Sequence, residues 1–92
     1  MKRVYKYELL PQELQIISLP VDSKVLSVIE QNNTIMMYAL VDIEEIEMNK
    51  YYFAIYGTGH NINDGINTFE FLNTVKLNNG TLVFHVFYQS PI

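Results

Sequence analysis

No stretch of this 92-residue chain holds a helical hydrophobic period for more than about two turns. Seven short runs rich in β-branched and aromatic residues stand in its place, each bounded by a turn signal. They cover residues 3–9, 13–19, 24–30, 34–43, 50–56, 68–77 and 81–88. Asn78-Asn79-Gly80 is the strongest of the turns and predicts a hairpin between the last two runs. Asn32-Asn33 predicts a second hairpin, because asparagine tolerates the positive φ that two-residue turns require. The pattern predicts an all-β, mainly antiparallel domain: about seven short strands in a small sandwich or partly open barrel, with little or no helix. The one rival element, a short helix over 12–17, is disfavoured by Pro11, Pro20 and the β-branched pair Ile16-Ile17.

The run Ile35-Met36-Met37-Tyr38-Ala39-Leu40-Val41 is apolar on both faces, as in a central strand covered by the core on one side and a second layer or subunit on the other. Residues 42–49 carry four acids and predict a solvated loop or short helical turn. The length predicts one domain over 1–92, with 88–92 as a short C-terminal tail that Pro91 keeps out of regular pairing and that can serve as a lid. Hydrophobic residues make up 49% of so short a chain, more than one small core needs, which predicts a subunit interface.

Net charge is −4, from six Lys+Arg against ten Asp+Glu, too few cations to neutralise the phosphates of polymeric DNA or RNA. A small anion remains within reach of backbone N–H groups, hydroxyls and one or two cations. The absence of cysteine excludes disulfides and thiolate metal sites. With no secretion signal and no membrane-length apolar run, the expected location is cytoplasmic, away from membranes.

The stretch most able to carry chemistry is Tyr56-Gly57-Thr58-Gly59-His60, reached directly from the apolar run 51–55. Two glycines around Thr58 let the backbone approach a ligand and can present consecutive N–H groups as an anion nest. A turn requiring positive φ is the commoner reason for an isolated G-x-G, and neither a dinucleotide fingerprint nor a phosphate loop is present. Of the two histidines, His60 in its polar loop is the better functional candidate, whereas His85 within an apolar strand reads as buried and structural. Two histidines and scattered acids fall short of a hydrolytic metal centre, so no metal, no cofactor and no enzymatic activity are expected. Lys2, Arg3 and Lys6 protect an edge strand or, alternatively, contact phosphate across a subunit boundary.

Val4-Tyr5-Lys6-Tyr7, Ala39-Leu40-Val41-Asp42, Tyr56-Gly57-Thr58-Gly59-His60 and Gly80-Thr81-Leu82-Val83-Phe84-His85-Val86-Phe87 follow one another over nearly the whole chain. The set resembles a family of small phage-encoded proteins that includes the anti-CBASS sponges, with Asn61 standing where the pattern usually has proline. The resemblance implies a homo-oligomer, a tetramer favoured, that binds a cyclic dinucleotide such as cyclic GMP–AMP without cleaving it. On that reading Gly57, Gly59 and Thr58 hold phosphate or ribose, and His60 donates to phosphate or base. Tyr56 and Tyr88 stack on bases, and Arg3 supplies a cation. The alternative is a small phage β-protein that inhibits a host defence protein by direct binding.

Overall fold

A computed structural model describes residues 1–91. The chain forms seven antiparallel strands: β1 (Lys2–Leu9), β2 (Gln15–Pro20), β3 (Lys24–Gln31), β4 (Thr34–Asp42), β5 (Met48–Gly57), β6 (Glu70–Leu77) and β7 (Leu82–Gln89). They make two sheets, one ordered β1-β4-β3 and the other β2-β5-β7-β6. The expected all-β sandwich is what the chain adopts, and residues 12–17 carry no helix.

Both predicted asparagine turns take the left-handed conformation that hairpins demand. Asn32 and Asn33 have φ of 52° and 61°, and Asn78 and Asn79 have 53° and 57°. The two hairpins also meet, because the Asn78 N–H donates to Asn33 Oδ1 at 2.6 Å. Asn73 Nδ2 donates to the Val28 carbonyl at 2.9 Å, so β6 of one sheet is tied to β3 of the other. Along this side the sandwich is closed.

The core lies between the sheets. Val25, Val28, Ile35, Met37, Ala39 and Val41 face it from one sheet, and Leu19, Tyr51, Phe53, Ile55, Val75 and Val86 from the other. β4 sits at the centre of its sheet as its composition predicts, with 35, 37, 39 and 41 buried and Met36, Tyr38 and Leu40 half-buried on the outer face. Around them Val4, Leu26 and Ile29 are exposed, which leaves this outer face apolar and uncovered in the single chain.

Tyr51 is the one buried tyrosine of the core cluster, and its hydroxyl donates to the Ser23 carbonyl at 2.7 Å. Burial, with Asp22 adding a like-charge contribution, pushes its pKa above the ordinary tyrosine value. A raised folded-state pKa stabilises the fold below the unfolded pKa near 10, and that contribution is lost as pH rises through the folded value. Tyr51→Phe is expected to cost about 1 kcal/mol at neutral pH. It should also flatten the fall in stability above about pH 10. Urea titrations at pH 7 and pH 10.5 check both, and an unchanged alkaline slope in the variant would refute the assignment.

The C-terminal expectation needs correction. Tyr88 and Gln89 are strand residues, opposite Phe53 and Tyr52 on β5, so β7 continues past the predicted start of the tail. Only Ser90 and Pro91 follow it, and Ile92 lies outside the described residues. Gln89 Nε2 also donates to Thr68 Oγ1 at 2.7 Å, which ties this end of the strand to the segment that follows β5.

Candidate functional site

Strand parity decides what each predicted residue faces. Tyr51, Phe53 and Ile55 belong to the core, so Tyr52, Ala54 and Tyr56 point to the outer face of the four-stranded sheet. Register pairs share a face, which places Gln89, Phe87 and His85 of β7 beside them, opposite Tyr52, Ala54 and Tyr56 respectively. On β6, Thr74 pairs with His85, and Phe71 meets Phe87 edge-to-face at 5.5 Å.

The segment after β5 returns over this face. It contains the 3-10 helix Asp64–Thr68, capped by Asn63, whose Oδ1 accepts from the Gly65 N–H at 2.8 Å. This helix departs from the predicted loop, and the Asn63-Asp64 capping pair was its signal. Between it and the sheet lies a half-open pocket of about 440 Å³. Tyr52, Ala54 and Tyr56 form its floor, Ile66 and Phe69 one wall, and Leu14 an edge. Glu13, Asn63 and Gln89 supply its polar lining. Tyr56 and Ala54 are buried although they face away from the core, because this cover lies over them.

Beside the pocket stands a chain of hydroxyl, imidazole and hydroxyl. Thr58 Oγ1 lies 2.8 Å from His85 Nε2, and Thr74 Oγ1 lies 3.0 Å from His85 Nδ1. A neutral imidazole offers one donor and one acceptor, an imidazolium two donors, and a hydroxyl can answer either. Every protonation state of His85 is therefore satisfied, and each state fixes which way the two hydroxyl protons point. His85 is half-buried instead of buried, and both its ring nitrogens are hydrogen-bonded, one of them to Thr58.

The glycine stretch itself is built differently from the predicted nest. The Thr58 N–H donates to the Val83 carbonyl at 3.3 Å and the His60 N–H to the Gly57 carbonyl at 3.1 Å, so two of its donors already serve the turn. Gly59 has φ +85°, the left-handed value that favours glycine. A Cβ at Gly57 would meet His60 Cε1 at 2.8 Å and Nδ1 at 3.0 Å, the end of an exposed side chain that must turn aside to admit it. The close approach at Gly57 is made by the chain's own imidazole. Gly57→Ala should therefore gain about 0.4–1 kcal/mol in a His60→Ala background, where the space is free, and lose that gain in the wild type. Urea unfolding of the two single variants and the double variant measures the coupling, and strict additivity would contradict the contact.

Two predicted residues stand apart. Tyr88 faces the core, stacked on Phe53 with ring centroids 6.3 Å apart, on the opposite side of the sheet from Tyr56. Hydrogen bonding to the Glu70 carboxylate, with burial adding to it, raises its pKa. Arg3 is exposed on β1, which pairs only with β4, so it belongs to the other sheet. Sequence reasoning missed Tyr52, Phe69, Ile66, Asn63, Gln89, Glu13 and Leu14 of the pocket, and Thr74 beside it. Thr74 was within reach, since the Asn78-Asn79-Gly80 hairpin sets it opposite His85. Among the described residues, no group of three or more His, Cys, Asp or Glu side chains is placed to hold a metal ion. No helix among them is long and apolar enough to cross a membrane.

Comparison with known families matches residues 1–91 to the model of DUF7352, a domain of unknown function. The chain belongs to that family. No curated protein and no solved structure matches it.

Proposed function

We propose that this protein is a phage-encoded, non-catalytic binder that sequesters a cyclic dinucleotide such as cyclic GMP–AMP in the host cytoplasm and so blocks CBASS signalling. The observation that carries the reading is the adjacency of two unlike surfaces through one residue. Tyr56 helps line the aromatic pocket and also stands opposite His85 in the hydroxyl–imidazole chain. Tyr52, Tyr56 and Phe69 offer planar faces for a base. Thr58 and Thr74, held on either side of the His85 ring, offer hydroxyl groups for phosphate or ribose. Capture without turnover requires neither a nucleophile nor a metal, and the sequence resemblance points the same way.

In this proposal the protein works as a homo-oligomer, a tetramer favoured. The apolar outer face around Met36, Tyr38 and Leu40 supports an interface between copies, and Lys6, Lys24 and Glu8 give its margin both signs of charge. Arg3, on the other sheet from the pocket, then reaches a ligand only from a neighbouring copy. The same apolar face favours the second reading, inhibition of a host defence protein by direct binding.

Calorimetry with a panel of cyclic dinucleotides, run alongside sedimentation of the free protein, tests the proposal. Saturable binding to an oligomer is the expected result. A monomer that binds none of the panel but retains a stoichiometric host protein in a pull-down would replace the first reading with the second.

A further inference from the structure

The polar groups around the aromatic pocket have their roles already divided by bonds made within the protein. Asn63 spends Oδ1 on the Gly65 N–H, which leaves its Nδ2 group as a donor. Gln89 Nε2 donates to Thr68 Oγ1 at 2.7 Å and to the Thr68 carbonyl at 3.5 Å, which leaves its Oε1 as an acceptor. Glu13 adds a carboxylate that can only accept at neutral pH, and no Lys, Arg or His lines the pocket among the described residues. Besides the phenol hydroxyls of Tyr52 and Tyr56, the side chains of the lining offer one carboxylate, one amide acceptor and one amide donor, around a floor and wall of Tyr52, Tyr56 and Phe69.

A dianionic phosphate is poorly matched to such a lining, whereas a planar group with adjacent N–H donors is well matched. Guanine alone among the common bases presents two donors side by side, N1–H and N2–H₂, flanked by the O6 acceptor. Adenine opposes the carboxylate with the N1 lone pair beside its single amino group. Uracil flanks its one N–H with two carbonyls, and cytosine places the N3 lone pair beside its amino group.

We infer that the pocket is a guanine site, in which the Glu13 carboxylate accepts from N1–H and N2–H₂, Asn63 Nδ2 donates to O6, and the aromatic rings sandwich the base. This rests on the proposed cyclic-dinucleotide function and deepens it, assigning the base half of the ligand to the pocket and the phosphates to the Thr58–His85–Thr74 side. Glu13 is exposed and lies in the connection between β1 and β2, so its substitution leaves the core intact.

The test is calorimetric titration of wild type and Glu13→Gln with cyclic di-GMP, cyclic GMP–AMP and cyclic di-AMP. The wild type should bind the two guanine-bearing ligands roughly tenfold or more tighter than cyclic di-AMP, the range expected for a bidentate base contact. Glu13→Gln should collapse that ratio by weakening the two guanine-bearing ligands without weakening cyclic di-AMP. Equal wild-type affinity for cyclic di-GMP and cyclic di-AMP, or an unaltered ratio in the variant, overturns the inference. Should none of the three bind, the sequestration proposal fails by itself, and the pocket is judged with guanosine against adenosine. A Glu13-dependent preference for guanosine sustains the inference, and equal or absent binding of the two overturns it.

Discussion

Phe53→Ala is expected to destabilise the protein by about 3–5 kcal/mol, the usual range for emptying a phenylalanine site in a core. Phe53 is fully buried at the centre of β5, between Tyr88 on the neighbouring strand and the side chains of the opposite sheet. Small domains hold only about 5–15 kcal/mol in total, so the loss should remove a large share of the folded-state margin. Both sheets contribute to one core, and urea unfolding should therefore remain a single transition with an unchanged slope and a lower midpoint. A loss below about 1 kcal/mol, typical of surface positions, would mean that the site collapses around the gap or that the ring is not central to the core.

The second large effect concerns binding. Tyr52→Ala should weaken cyclic GMP–AMP binding by about 1–3 kcal/mol, the worth of stacking one base on an aromatic ring. That corresponds to roughly fivefold to more than a hundredfold in Kd. Tyr52 is half-buried on the pocket floor, so its removal leaves the core untouched. Tyr88→Phe is the informative control. Tyr88 points to the other face of the same sheet and stacks on Phe53, so the variant should bind as the wild type does. Equal binding by Tyr52→Ala, or a loss confined to Tyr88→Phe, would place the ligand elsewhere.

The fold was legible because its determinants are local. Alternation marked the strands, and Asn32-Asn33 and Asn78-Asn79-Gly80 marked turns whose left-handed φ values the structure contains. The site was only partly legible because its determinants are not local. The pairing of β5 with β7 joins residues about thirty positions apart and has no turn to announce it. That pairing turns Tyr88 inward with Phe53 and brings His85 to Thr58. The irregularity between Phe71 and Asn73 shifts the β6 register, so simple alternation along that strand misassigns faces. Which sheet β1 joins decides the fate of Arg3, and nothing in residues 2–9 specifies it. Gly57 illustrates the limit: a glycine beside a hydroxyl suggests a ligand, while here the nearest group to it is the ring of the chain's own His60.

The central claim is that the ligand face is the outer face of the four-stranded sheet, beneath the segment that follows β5. Amide chemical-shift mapping of uniformly labelled protein titrated with cyclic GMP–AMP measures this most directly. Saturable shifts are expected, concentrated at residues 52–58, 63–69 and 85–89, with residues 34–42 of β4 unmoved by the ligand. Shifts centred on β1 and β4, or none at saturating nucleotide, would contradict it.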